Sequence, residues 1–173
     1  MFTFSIDYDP NTDTSQQFFK VIQNKMHWAA HGHTAAEIIV GRADANIPLM
    51  GLTSKMPKRS DIGIAKNYLN ENELDTLNRI VSFYLEFAEL QAKNRRVMYM
   101  KDWVGKLDDF LRLSEHEILT HAGKVSHEDA LAHANAEFDK FKNRQIEEKS
   151  PAEIDFENSL KILEEQMVTK VAN

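Results

Sequence analysis

Apolar residues along this chain recur mostly at intervals of three or four positions, and polar segments separate these stretches. The spacing matches the 3.6-residue turn of an α-helix, so the pattern predicts an all-α fold, and we predict no β-strand. The longest helix is predicted over residues 71–96. Its apolar side chains cover most of the circumference: Leu74, Leu77, Ile80, Val81, Phe83, Tyr84, Leu85, Phe87 and Leu90. Because neighbouring helices usually surround such a helix, we predict that it is central.

Start and stop signals place two helices near the amino end. The first is predicted over residues 13–31 and ends at Gly32, since glycine readily adopts the left-handed conformation that terminates a helix. Thr34 and Glu37 have the spacing of a capping box, in which each side chain bonds the other residue's backbone N–H. A short second helix should therefore start there and reach about residue 44.

The remaining signals complete a single domain of about six to seven helices. Asn70 and Glu73 form a second capping box, at the start of the long helix. An irregular stretch is predicted over 45–60, and further helical segments are predicted over 62–69, 102–119, 127–145 and from 151 onward. A boundary near Lys149 would divide the chain into a helical domain, 1–149, and a C-terminal helix, 150–173. We expect that last helix to pack outward or on a partner.

The composition is that of one globular domain. Of 173 residues, 42% are hydrophobic and 28% are charged, so the chain can bury a core. No sequence segment has the roughly 18 consecutive apolar residues of a membrane span, and we expect a cytoplasmic protein. Cysteine is absent, which excludes disulfides, thiol catalysis and cysteine-ligated zinc. The net charge of −6 is the opposite of what a whole-surface nucleic-acid binder carries.

Three histidines and a glutamate form the densest group of candidate chemistry: His27, His31, His33 and Glu37. On a helix, residues four apart lie within about 40° of each other, so His27 and His31 share a face. His33 follows the helix-ending glycine and can turn back towards them. Such imidazoles can share a divalent transition metal, with Glu37 completing the site. The four residues are also the candidates for catalysis.

Two other interpretations of these histidines stay open. They can cap helix ends and bond backbone carbonyls at the turn, and Glu37 has a competing role in the capping box. They can also line a pocket for an anion or a nucleotide. The first of these interpretations is favoured, so we expect no cofactor and keep the metal as an alternative.

Basic residues concentrate in the loop 55–59, which precedes the helical segment predicted over 62–69. The backbone N–H groups at such a helix start are free to bind anions. Residues that could contact a phosphate group there or nearby are Arg42, Asp44, Lys55, Lys58, Arg59, Lys66 and Asn67. A second basic segment, which could extend this surface, comprises Lys93, Arg95, Arg96 and Lys101. The alternative is a solvated loop without a ligand. The run 98–103 is predicted to be core packing around Tyr99 and Trp103.

Seven short runs carry a family resemblance. They are SIDYDP at 5–10, QNKMHWAAHGHTAAEII at 23–39, RAD at 42–44, MGLTS at 50–54, AKNYL at 65–69, MYMKDW at 98–103 and AGKVSH at 122–127. In sequence and in order they resemble the carboxy-terminal region of the virulence-associated RhuM proteins, over about residues 5–142. Several motifs in one order make this resemblance specific.

The resemblance implies a bacterial protein encoded near pathogenicity islands, prophages or restriction–modification genes. Many family members carry an amino-terminal half that looks like a DNA-binding region, and the opening residues 1–10 read like the tail of a helix. We therefore expect that this half is absent from the chain, and that this part does not itself bind DNA. The resemblance implies no catalytic residues.

Two functions follow as hypotheses. The favoured one is an accessory helical module of a DNA-associated, virulence-linked or mobile-element regulator, which acts by homo-oligomerisation or by binding a partner or ligand. An apolar helix face left exposed in the monomer would favour it. The alternative is a metal- or histidine-dependent phosphoesterase or nuclease that uses His27, His31 and His33 with the basic loop 55–59. Half of a toxin–antitoxin pair is a third possibility, based only on the genomic company of the family.

Overall fold

The computed structural model of this chain describes residues 5–53, 56–147, 152–153, 155–156 and 158–162. Within them the predicted all-α fold is confirmed, and the only β-type contact is an isolated bridge between Ser5 and Met98. The α-helices are α1 (Asp13–His31), α2 (Ala35–Arg42), α3 (Glu71–Lys93), α4 (Met100–Leu113) and α5 (His127–Glu147). The connection from α2 to α3 contains two 3-10 helices, Pro48–Gly51 and Ala65–Tyr68.

The described residues after position 151 are helical as well. The predicted boundary near Lys149 lies outside the described residues and stays a prediction.

Both predicted capping boxes are formed. The Thr34 hydroxyl accepts a hydrogen bond from the backbone N–H of Glu37, and the Glu37 carboxylate accepts one from the Thr34 N–H at 2.9 Å. The reciprocal pair of Asn70 and Glu73 has two bonds of 3.0 Å. These bonds satisfy backbone donors that a helix start otherwise leaves unpaired, which fixes where α2 and α3 begin.

Helix α4 is shorter than the predicted 102–119. It ends at Leu113, and Glu115 takes a left-handed conformation with a φ of 58°. The N–H of His116 then bonds the Leu111 carbonyl at 2.9 Å, which is the closing bond of a Schellman motif. The left-handed residue of this motif is usually glycine. Because it is Glu115 here, the sequence carries no signal that α4 ends at this point.

The core forms where α1 packs on α2, α3 and α4, while α2 packs on α5. Helix α3 is buried on one side, by Leu77, Ile80, Tyr84 and Ala88. The Tyr84 hydroxyl donates to the Trp103 carbonyl at 2.6 Å, which links α3 to α4. Phe83 and Leu90 lie about 100–125° around α3 from this side and are about half exposed, at 51% and 53%.

A buried lysine fixes the middle of α1 against α4. The Lys25 ammonium group donates to the Leu119 carbonyl at 2.9 Å and pairs with the Asp108 carboxylate at 2.8 Å. Both of its partners lie in or just after α4. This anchor holds the last turns of α1, which carry His27 and His31, in a fixed orientation.

Candidate functional site

His27 and His31 form a hydrogen-bonded pair on the last turns of α1. The Nδ1 atom of His27 lies 2.9 Å from the Nε2 atom of His31, and the ring centroids are 5.1 Å apart. The helical spacing of four residues brings the two rings together, as predicted. Both side chains are half-buried.

Burial keeps this pair uncharged at neutral pH. Removal from water lowers the pKa of His27 to about 4. It lowers the pKa of His31 to about 4 as well, with a further contribution from the neighbouring His27. In a neutral pair, one imidazole donates the shared proton and the other accepts it. Because a pKa of about 4 lies well below neutral pH, the neutral rings are weak bases there. The buried His31 Nδ1 atom, unpaired within the described residues, is a second position that a proton can occupy.

His33 has a structural role at the end of α1. Gly32 adopts a left-handed conformation with a φ of 73°, and its N–H bonds the Trp28 carbonyl at 2.7 Å. The chain then turns back, so that the His33 Nδ1 atom lies 3.0 Å from the His31 carbonyl oxygen. In the part of the chain that the structure describes, no three His, Asp or Glu side chains form a group that could hold a metal ion. The predicted three-histidine ligand set is thus not assembled there.

Glu37 fastens a distant loop to the start of α2. Besides the Thr34 N–H, its carboxylate accepts a hydrogen bond from the Lys124 N–H at 2.7 Å. Burial works to raise the pKa of Glu37, but these backbone bonds outweigh it and the pKa lies below its usual value. Its oxygens are occupied by the backbone, which favours a structural role over catalysis.

Arg42 is bound by a partner that the sequence analysis did not connect to it. Its guanidinium forms two hydrogen bonds of 2.6 Å to the Glu73 carboxylate and a third, of 2.8 Å, to the Tyr68 carbonyl. This pair lowers the pKa of Glu73 to about 2 and raises that of Arg42. Both charges act on His31, so the histidine pair and the ion pair belong to one electrostatic site. Sequence reasoning recognised Glu73 only as a capping residue.

The other predicted phosphate ligands make contacts of their own within the fold. The Asp44 carboxylate accepts from the Asn46 N–H at 2.8 Å, and the Asn67 amide donates to the Asp61 carbonyl at 2.9 Å. Lys66 is exposed on its 3-10 helix.

The basic loop lies against α5. The Arg59 guanidinium donates to Asn135 at 2.6 Å and to Asp139, and it lies 4.8 Å from the centre of the Phe138 ring. Lys58 is exposed, and Lys55 lies outside the described residues. The described contacts of Arg59 are thus with α5 and not with the histidines of α1.

Comparison with known protein families places the chain in a family. A model of the Virulence protein RhuM family matches residues 1–149. The chain belongs to this family. The resemblance found from the seven sequence runs is thereby confirmed. No curated protein and no solved structure is similar enough to this chain to count as a match. None of the helices described for this RhuM-family chain is long and apolar enough to cross a membrane.

A surface at the end of α3 combines exposed apolar side chains with cations. The apolar residues are Leu90, Val97 and Tyr99, which are 53%, 68% and 45% exposed. We predicted Tyr99 to be core packing. Met98 and Trp103 of that run are buried, but Tyr99 precedes α4 as its N-cap and its ring stays exposed. We call this surface the basic–apolar patch: Leu90, Lys93, Arg95, Arg96, Val97 and Tyr99.

The cations of the patch are unpaired within the described residues. Helix α3 ends at Lys93, earlier than predicted, and Arg95 follows in a left-handed conformation with a φ of 50°. No ion pair to Lys93, Arg95 or Arg96 forms among the residues that the structure describes. From residue 90 to Lys101 the chain has four basic residues and no acidic one. The sequence indicated this basic segment, but not the exposed apolar residues within it.

Proposed function

We propose that this RhuM-family chain is a helical accessory module of a virulence-linked, DNA-associated regulator and that it acts by oligomerisation. The basic–apolar patch is the observation that carries this proposal. Leu90, Val97 and Tyr99 place aliphatic and aromatic groups in water beside cations that form no ion pair with any described residue. This combination is typical of a surface that another protein covers.

The apolar part of the patch favours a protein over nucleic acid as its partner. Covering the aliphatic side chains of Leu90 and Val97 removes apolar area from water, which stabilises a protein–protein contact. A phosphate backbone is bound by cations and gains little from aliphatic groups. The net charge of −6 also repels a polyanion over the rest of the surface.

The contacts of the predicted site residues support the same proposal. Glu37, Arg42 and Arg59 use their charged groups to hold α2, α3 and α5 in place. Side chains bound in this way contribute to the fold, and a substrate would have to displace their partners.

Sedimentation of the full chain tests the proposal. We expect the wild type to form dimers or larger oligomers at micromolar concentration, and Val97→Asp to shift it to the monomer mass of 19.9 kDa. Leu113→Asp is the matched control, because Leu113 is 85% exposed and lies outside the patch. A monomeric wild type, or an oligomer that Val97→Asp leaves intact, would overturn the proposal. Salt-sensitive duplex DNA binding that Arg95→Glu weakens would instead assign the patch to nucleic acid.

The histidine pair favours a second candidate, a histidine-dependent phosphoesterase or nuclease. Neutral imidazoles next to the Arg42–Glu73 pair could move a proton during ester cleavage. The test is hydrolysis of a phosphodiester by tag-free wild type and by a His27→Ala/His31→Ala variant, with elemental analysis of both samples. Turnover and stoichiometric metal that disappear together in the variant would support the metal-dependent form. Turnover that is equal in both proteins would remove this candidate.

A further inference from the structure

The described helical residues near the carboxyl end have an exposed apolar side. Phe156 and Leu160 are four residues apart, so they share one helix face, and they are 65% and 44% exposed. In the sequence, Leu163 and Met167 follow at intervals of three and four residues. The family match ends at residue 149, so this helix lies outside the matched region.

This segment is acidic. Residues 150–173 contain five acidic and two basic side chains, a net charge of −3. Glu153 lies within about 60° of Phe156 around the helix, on the side where Leu160 also lies. The described part of the helix therefore presents apolar groups with a carboxylate beside them, whereas the basic–apolar patch presents apolar groups with cations beside them.

We propose that the basic–apolar patch of one copy binds the C-terminal helical residues of a second copy, of which 152–153, 155–156 and 158–162 are described. The inference rests on the proposed oligomerisation and names the surface that covers the patch. Charge complementarity selects this pairing over the two alternatives that the same surfaces allow. Patch against patch would oppose cations with cations, and helix against helix would oppose carboxylates with carboxylates, and both arrangements repel.

Reciprocal docking gives a closed assembly. If the C-terminal helix of each copy binds the patch of the other, a two-fold axis relates the two contacts. Both binding surfaces are then occupied, so no further copies can add and no fibre forms. Docking within one chain would cover Phe156 and Leu160, yet both are exposed in the structure of the single chain. The exchange is therefore the arrangement in which both apolar surfaces become buried.

Point variants of the full chain test the inference. We expect Phe156→Asp/Leu160→Asp to halve the mass measured by light scattering, from a dimer to 19.9 kDa. Ile162→Asp is the control on the same helix, because Ile162 is 55% exposed but lies about 120° away from Phe156. Circular dichroism should show an unchanged fold, since the substituted side chains are exposed. A dimer that Val97→Asp dissociates but Phe156→Asp/Leu160→Asp does not would overturn this inference and leave the proposed function standing.

Charge reversal provides an independent test. Arg95→Glu/Arg96→Glu and Glu153→Lys should each be monomeric alone, because each variant then places like charges against each other. Mixed in equal amounts, they should form a heterodimer, since each reversed surface meets an opposite charge on the other variant. A mixture that stays monomeric, or single variants that dimerise like the wild type, would overturn the inference.

Discussion

The ion pair between Arg42 and Glu73 joins α2 to the start of α3, and Glu73→Gln tests how much it stabilises the fold. Glutamine keeps the shape and one acceptor oxygen, so the variant removes the negative charge with little change in packing. It leaves the Arg42 guanidinium, whose side chain is 31% exposed, without its counter-charge. We therefore expect a lower free energy of unfolding at neutral pH.

The magnitude follows from the titration of Glu73. Its hydrogen bonds with Arg42 lower the pKa from 4.5 to about 2. At about 1.4 kcal/mol for each pH unit, this corresponds to about 3 kcal/mol. Solvent screening at the partly exposed Arg42 reduces the expected loss to about 2 kcal/mol. Because the folded-state pKa is lowered, the contribution is fully present above about pH 4.5 and is lost as the pH falls towards 2.

Urea unfolding followed by circular dichroism at pH 7 and pH 3 measures this loss. Glu71→Gln is the matched control, since Glu71 lies in the same helical turn but is exposed. At pH 3 less than half of the difference between Glu73→Gln and wild type should remain. The reasoning is refuted if Glu73→Gln lies within about 0.5 kcal/mol of Glu71→Gln at pH 7, or if the difference is the same at both pH values.

Two further predictions concern the same region. Gly51→Ala should lower the free energy of unfolding by at least about 2 kcal/mol, because Gly51 has a φ of 90° and a Cβ there would lie 2.0 Å from the Arg42 carbonyl oxygen. Gly41→Ala, which meets no atom within 4 Å, is the control and should stabilise α2 by about 0.5–1 kcal/mol in chemical unfolding. NMR titration should find His27 and His31 protonating near pH 4, because burial favours the neutral rings. For the same reason the free energy of unfolding should fall as the pH drops from 6.5 towards 4. Midpoints near 6.5 would contradict the burial of the pair.

The starts of the helices could be predicted from the sequence because their causes are local. A capping box needs two side chains three residues apart, and Thr34 with Glu37 or Asn70 with Glu73 has this spacing. Helix α1 likewise ends at His31 as predicted, because Gly32 takes the left-handed conformation without a steric penalty.

The ends of α3 and α4 could not be predicted in the same way. Both close through a left-handed residue that is not glycine, Arg95 after α3 and Glu115 after α4. A side chain raises the energy of the left-handed conformation, so local sequence preference does not predict it at Arg95 or Glu115. Residues 94–96 and 114–119 therefore looked helical in the sequence and leave the helix in the structure.

Within the candidate site, local spacing set the histidine pair and the capping contact of Glu37 with Thr34. His27 and His31 meet because a helix brings residues four apart together. The partners of Arg42 and Arg59 are 31 and 76 or 80 residues away, so no pattern along the chain connects them. Each arginine was predicted as a phosphate ligand because the sequence does not show whether a carboxylate of the fold or a ligand neutralises its charge.

The basic–apolar patch is the opposite case, in which apolar residues predicted to be buried are exposed. In the sequence, Leu90 and Tyr99 continue apolar patterns and were therefore assigned to the core, as such residues usually are. Their exposure depends on the end of α3 at Lys93 and on the position of Tyr99 as the N-cap of α4. An apolar residue at a regular helical position is buried only where the chain provides a covering element. Where the described part of the chain leaves such residues exposed, as around Val97, the same pattern indicates a surface for another molecule.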